Sequence, residues 1–435
     1  MDESLAARLA ALLRPLTAFY LEVHRHPELS GRERRTAGLF AGRLADAGLD
    51  VATGVGGHGV VGVLRNGDGP TVLLRAELDA LPVREETGLP YAAQGGAAHA
   101  CGHDLHLAAA AGAAALLAGG RAAWRGTLMV VGQPAEETLQ GARAMLADGL
   151  YERFGVPDEV LAQHAAPLPA GMVAHAYGPV AAGSVTYRVV VHGRGGHAGA
   201  PHLAVDPVVT AAHVVARLQT VVAREAAPAD PVAVTVGSFH AGDRPNVIPE
   251  SAELGVTVRA VGDAALDRAV AAVERIVRAE CAAAGCPREP ELVRVGSSPV
   301  THPDPGLTAA LRAAHAAEFG AERVAMWPPT LATEDFALFG AAGRELHGAA
   351  GVRLGYWMLG VTGPAAWARA AGTSAAAKLA ALPANHSPAF APDPRTALPA
   401  GVRALAAAAL ARLGGPGQAG RPKAAVCACR GAGAG

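Results

Sequence analysis

Lysine is almost missing from this 435-residue chain: only Lys378 and Lys423 stand among 37 basic residues. With its heavy use of Ala, Gly and Arg, the composition fits a GC-rich bacterial genome and carries no chemistry. An excess of charge is missing too. Thirty-seven Lys+Arg face 38 Asp+Glu, for a formal net charge of −1, so there is no basic excess or basic block for nucleic acid or a membrane surface. Cysteine is scarce. Five in a chain this long form no disulfide framework, which fits a reducing cytosol. Long apolar runs are absent: the longest, Leu107 to Gly119, falls short of the roughly 20 residues that span a bilayer. The start, MDESLAARLAALLRPL, has acids at positions 2 and 3 and no cationic region, and does not read as a signal peptide. The expectation is a soluble, cytoplasmic protein with no nucleic-acid or membrane partner.

Hydrophobic residues make up 51%, too many for a disordered chain. Histidine stands out, with 17 His against 8 Phe. Helical patterns cover residues 3–26 and 31–47. Apolar strand-like runs follow at Gly59–Leu64, Thr71–Leu74, Leu128–Val131 and Val160–Gln163, separated by Ala-rich helical stretches at Leu105–Leu117 and Gly141–Gly149. This alternation predicts an α/β domain with a buried sheet. The texture changes from 183 to 296, where strand, helix, two strands, helix and strand follow in the ferredoxin-like β-α-β-β-α-β order. The expected division is therefore residues 1–182 and 297–412 for one α/β domain, 183–296 for a second domain inserted in it, and a Gly/Pro-rich tail, 413–435, expected to be disordered.

Four segments carry chemistry. His99–His106 (HACGHDLH) sets Cys101 and His103 two apart at a loop-to-helix start, where the helix N-terminus favours a thiolate. Alone, C-x-H fits a buried thiol and a capping imidazole equally well. Gly132–Glu137 (GQPAEE) follows an apolar strand with two adjacent carboxylates. One carboxylate of such a pair can bind metal while its neighbour handles a proton. His164 and His386 each stand alone, His164 at a strand end and His386 in a loop. Together, Cys101, His103, Glu137, His164 and His386 offer the N, S and O donors that zinc and neighbouring metals use. Five ligands are too many for one hydrolytic zinc with an open position, and suit a pair of ions about 3.5–4 Å apart.

Over roughly residues 15–412 the chain resembles the M20 metallopeptidase family, in the amidohydrolase branch that includes hippurate hydrolase and auxin–amino-acid conjugate hydrolases. The matching segments include HRHPELSGRERRTA (24–37), RAELDALPVREETGLPYA (75–92), HACGHDLHLAAAAGAA (99–114) and GQPAEE (132–137). GRGGHAGAPHLAVDP (193–207), NVIPESAELGVTVR (246–259), TEDFALF (333–339) and NHSPAF (385–390) continue them. The resemblance implies two divalent ions (Zn, or Mn/Co) held by Cys101, His103, Glu137, His164 and His386. It implies Glu136 as general acid/base and Asp79 as a carboxylate orienting the site. In the inserted domain, read as a lid, it implies that His197, Asn246 and Arg259 face substrate. The expected substrate is an N-acyl amino acid. A homodimer or higher homo-oligomer through the lid is the expected assembly, with some lid groups acting across the subunit boundary. His99 and His106 are candidates for orienting the ligands.

The chain departs from the family pattern at Thr138-Leu139-Gln140, where relatives usually carry Gly, and this bears on the width of the cleft. A dipeptidase on the same site is an alternative, as is a catalytically silent metal- or ligand-binding homologue. A nucleotide-binding reading of GVGGHGVVG (54–62) fails because the run leads into a strand, the reverse of the dinucleotide fingerprint.

Overall fold

The computed structural model describes residues 3–415. Most of the expected disordered tail, with Cys427 and Cys429, lies outside the described residues. Helix α1 (Glu3–Arg25) turns one stripe inward, burying Leu9, Leu16, Phe19, Tyr20 and Val23. Helix α2 (Arg34–Asp46) starts three residues later than expected. The Glu28 carboxylate reaches its first free amides, accepting from Arg35 N (3.1 Å) and Thr36 N (2.7 Å). Gly31 turns the preceding loop at φ 77°.

Strands β1 (Asp50–Val55), β2 (Gly59–Asn66) and β3 (Thr71–Glu77) precede helix α3 (His103–Gly119). Strand β4 (Gly126–Gln133) leads to two short helices, α4 (Gly141–Ala147) and α5 (Leu150–Phe154), and then to β5 (Glu159–Pro169) and β6 (Val173–His175). The chain next enters the second unit: β7 (Ala181–His192), β8 (Gly196–His197), α6 (Pro207–Thr220), β9 (Val232–His240), β10 (Val247–Ile248), β11 (Ser251–Ala260), α7 (Asp263–Ala283) and β12 (Glu291–Ser298). It returns through α8 (Pro305–Phe319), β13 (Val324–Met326), β14 (Thr330–Thr333), α9 (Arg344–His347) and β15 (Arg353–Thr362). It closes with α10 (Pro364–Arg369), α11 (Ala375–Ala381) and α12 (Pro394–Arg412).

The larger sheet has the order β1-β2-β4-β3-β5-β15-β6-β13, with β4, β3, β5 and β15 parallel at its centre. Its strands read as continuous apolar runs because both faces are covered. Val60, Val72, Leu74, Leu128 and Val130 pack under α1, α3 and α12. Their neighbours in sequence, Val61, Leu73, Met129 and Val131, pack on the other face against α4 and Phe336–Phe339. Helix α12, which the sequence pattern left unassigned, fits between α3 and α8. Asp-Pro starts it, as it starts α6 and α8. In each the Asp side chain caps the first turn and Pro fills N1, which needs no donor.

In the second sheet β12-β7-β11-β9 run antiparallel and β14 adds to β7 in parallel, while α6 and α7 bury its apolar face through Val189, Val191, Leu254, Val256 and Val258. Its element order is the expected β-α-β-β-α-β, with the short ribbon β8–β10 added at one end.

One expectation changes. His164 does not sit at a strand end: β5 continues to Pro169 because β15 pairs along nearly its whole length. Its pairing with β3, however, stops at Arg75↔Ala162, so His164 lies two residues past the last paired position, level with the end of β3 at Glu77.

Candidate metal centre

The carboxyl ends of parallel strands form the natural mouth of such a sheet, and the donors arise there. Asp79 follows β3, Glu136 and Glu137 follow β4, His103 opens α3, and β5 carries His164 past its last pair with β3. Left-handed backbone at Gly102 (φ 85°) starts α3 in close contact with β5. A Cβ at Gly102 would lie 2.8 Å from that of Ala165, so only glycine permits the approach. His386 arrives from a loop and is tied by its own amide to Ala100 O (2.8 Å). Asn385 beside it donates to Cys101 O (3.3 Å) and Ala165 O (3.0 Å).

All five expected ligands converge. The donor atoms of Cys101, His103 and His164 lie within 4.8 Å of one another, and so do those of Cys101, Glu137 and His386. Cys101 Sγ is 3.4 Å from His164 Nε2, and His386 Nε2 is 3.4 Å from Glu137 Oε2. His103 donates from Nδ1 to Asp79 O (2.9 Å), which turns Nε2 toward Glu136 (3.7 Å) and Glu137 (3.8 Å). His164 likewise donates from Nδ1 to Ala165 O (3.0 Å). Each imidazole thus turns its Nε2 toward the other donors.

His103 Nε2 and Glu137 Oε1 are buried without a hydrogen-bond partner. Orphaned polar atoms at such depth cost about 1–3 kcal/mol each, and a cation between them removes that cost. The donor set fits a metal.

Asp79 is fully buried. Its Oδ2 accepts from Ser30 Oγ (2.7 Å) and Glu137 N (2.9 Å), so it holds both His103 and the carboxylate turn. Burial, together with the charges of Glu334 and Glu137, holds the Glu136 carboxyl well above the ordinary range, suiting it to accept and return a proton. Cys101 departs from expectation. Burial and the neighbouring Glu137 push its thiol up to about 12, overriding the helix terminus.

The sequence reading missed a buried group behind the ligands. Arg75 donates to Glu77, Gln133, Glu334 and Asp335. Glu77 accepts from His106 Nδ1 (2.7 Å), so His106 does face the ligands from behind, whereas both nitrogens of the buried His99 lack partners. An acidic dipeptide inside TEDF and a basic residue within a strand were the available signals.

The donors open into a cleft of about 490 Å³. Leu139, Val180, Trp327, Tyr356 and Met358 line it, and Arg259 enters it from β11 of the second unit, donating to Leu331 O (2.9 Å). His197 and Asn246 do not line it. Both are exposed on the β8–β10 ribbon, where His197 pairs with Val247. Ala135, Leu139 and His386, the described non-glycine residues with positive φ, all lie at this site (49°, 57° and 70°).

Residues 73–381 match the family described as Peptidase family M20/M25/M40. The chain belongs to that family. It is a hydrolase of amide bonds. A probable hydrolase of Synechocystis is 35% identical over 333 residues, 75% of this chain and 84% of that protein. Hippurate hydrolase of Campylobacter jejuni is 40% identical over 245 residues, 55% of this chain and 63% of the relative. Among solved structures, a dinuclear metal-binding M20 peptidase of Bacillus subtilis superposes with a TM-score of 0.72 at 26% identity, covering 93% of this chain and all of its own. The fold is thus that of a dinuclear metal-binding hydrolase. Among the described residues, no helix is long and apolar enough to cross a membrane.

Proposed function

We propose that this chain hydrolyses the amide bond of N-acyl amino acids, hippurate-like or N-acetylated. In this reading Cys101, His103, Glu137, His164 and His386 hold two divalent ions, and Glu136 is the general base. The observation that carries it is the convergence of five donors on the buried, unpartnered His103 Nε2 and Glu137 Oε1, with Glu136 beside them. Zinc suits the Cys101 sulfur best by softness, ahead of manganese or cobalt. Bound ions would supply Lewis acidity to water and to the scissile carbonyl.

The chain's own groups do the rest. Glu136 takes the proton of the attacking water and returns it to the leaving nitrogen, releasing a carboxylate and a free amino acid. Asp79 fixes the tautomer of His103. Arg259 is the cation the lid offers to the amino-acid carboxylate. The hippurate hydrolase name of one relative supports the acyl class. A dipeptide would need an acceptor for its free ammonium, and Glu334, the cleft carboxylate beside the base and ligands, is engaged by Arg75 and Tyr356.

In the same reading the unit spanning 183–296 is a lid, and exposed His197 and Asn246 complete the cleft of a second copy, so that the working form is a homodimer. The test is a panel of N-acetyl and N-benzoyl amino acids, with dipeptides alongside, assayed after loading with zinc, manganese or cobalt. Cleavage of acylated substrates with dipeptides left intact is the expected result. No amide cleaved with any of the three metals would overturn the reading.

A further inference from the structure

Arg75 is the fifth residue of β3 (TVLLRAE), deep in the sheet, and its side chain is fully buried. All five of its N–H groups are used. Nε donates to Gln133 Oε1 (2.8 Å), and Nη1 to Glu77 and, at 3.4 Å, to Glu334 Oε2. Nη2 donates to Glu334 Oε1 (2.8 Å) and Asp335 Oδ1 (3.1 Å). One guanidinium thus faces three buried carboxylates. Folding alone gives no reason for this, since apolar packing at such a position is usually as stable as a buried ion cluster, or more so.

Two arms leave the cluster toward the reaction. The first runs through Glu334. Its carboxylate accepts from Arg75, from Tyr356 Oη (3.1 Å) and from the amides of Asp335 (3.0 Å) and Phe336 (3.2 Å), and so is held in one orientation. It faces the cleft, with an oxygen within 4.8 Å of one from Glu136. The second runs through Glu77. Glu77 Oε2 accepts from His106 Nδ1 (2.7 Å), and His106 Nε2 accepts from Ala165 N (2.8 Å). That bond to Ala165 fixes the proton of His106 on Nδ1. Ala165 in turn takes the Nδ1 proton of His164 on its carbonyl, which sets the direction of His164 Nε2.

We propose that Arg75 is a positioning residue for the hydrolysis, a clamp whose Glu334 arm sets the carboxylate of Glu136 and whose Glu77–His106 arm sets the imidazole of His164. The proposal rests on the reading of Glu136 as base and His164 as metal ligand. Lysine cannot replace the clamp, because a single ammonium cannot serve acceptors on four side chains in one plane.

The test compares Arg75→Lys, Arg75→Met, Glu334→Gln and His106→Phe with the wild-type chain, each loaded with cobalt(II). The readouts are the visible absorption of the bound cobalt, its stoichiometry, and kcat and KM on N-benzoyl glycine. For Arg75→Lys, a fall in kcat of about 100-fold is expected, the scale of an ångström-sized misplacement, with KM changed less than about threefold and a shifted cobalt spectrum. Glu334→Gln should lower kcat and keep the wild-type spectrum; His106→Phe should shift the spectrum. If Arg75→Met does not fold, the other three variants decide. A folded Arg75→Lys protein with wild-type kcat and wild-type cobalt spectrum overturns the clamp, even if its melting temperature falls. For Arg75→Lys, a change in kcat alone or in the cobalt spectrum alone overturns the two-arm form. If the wild-type chain cleaves no acyl amino acid, the functional reading fails, and the cobalt spectra still decide the His164 arm.

Discussion

Leu139 shows how closely single residues are held at this site. It follows the carboxylate pair in a turn fixed by Leu139 N to Glu136 O (2.7 Å) and by Gln140 N and Gly141 N to Ala135 O (both 3.1 Å). Its φ of 57° is a conformation that suits glycine and disfavours a side chain by about 1–2 kcal/mol. Leu139→Gly is therefore expected to raise stability by about 0.5–1 kcal/mol, after the entropy glycine adds to the unfolded chain. Leu139→Val is expected to lower it by about 1 kcal/mol, because β-branching tolerates this conformation worst. Urea unfolding checks the order Gly above Leu above Val; the reverse order contradicts it. The converging donors were legible in sequence because His103, Glu137 and His386 each stand in a short polar break beside apolar runs. Arg75 was not, since its partners Glu334 and Asp335 lie about 260 residues away and only the fold brings them together.

Among the elements, the packing of β6 against α8 and α12 carries a second consequence. His175 on β6 and His315 on α8 are fully buried, with His175 Nε2 2.9 Å from His315 Nδ1, and His315 Nε2 donating to Ala404 O (3.0 Å) on α12. Burial pushes His175 down to about 3, with His315 adding to it, and His315 down to about 4. Each imidazole is neutral when folded and takes up a proton more readily when unfolded. The unfolded chain thus binds more protons between about pH 4 and the ordinary histidine value near 6.5. Stability is full above pH 6.5 and falls as pH drops through this window. The melting temperature of the wild-type chain should fall from pH 7 to pH 5. In His175→Phe/His315→Leu the fall should be shallower; an equally steep fall would contradict the assignment. This contact was hidden in the sequence because α12 was. Its Ala-rich run with an internal Pro399 reads poorly as a helix, and the Asp393-Pro394 cap that marks its start was the readable sign.

For the whole molecule, the presence of two different sheets was legible in the sequence, because an amphipathic antiparallel sheet and a two-face-covered parallel sheet leave different patterns. His197 and Asn246 are exposed and stand apart from the cleft that Arg259 enters. If they serve a second copy, two inactive variants should rescue each other. Mixing Glu136→Ala with His197→Ala chains under exchange should restore part of the activity that each lacks. No recovery, with exchange of subunits verified, would contradict action across a dimer.

In the proposed mechanism five side chains hold the metal while Glu136 moves the proton. The most direct measurement is the metal content and turnover of Glu136→Ala, taken on the same sample. Two equivalents of metal should stay bound, as in the wild-type chain, with turnover of N-acyl amino acids reduced by about 10²–10⁴-fold. A metal-loaded Glu136→Ala protein with undiminished turnover would contradict it.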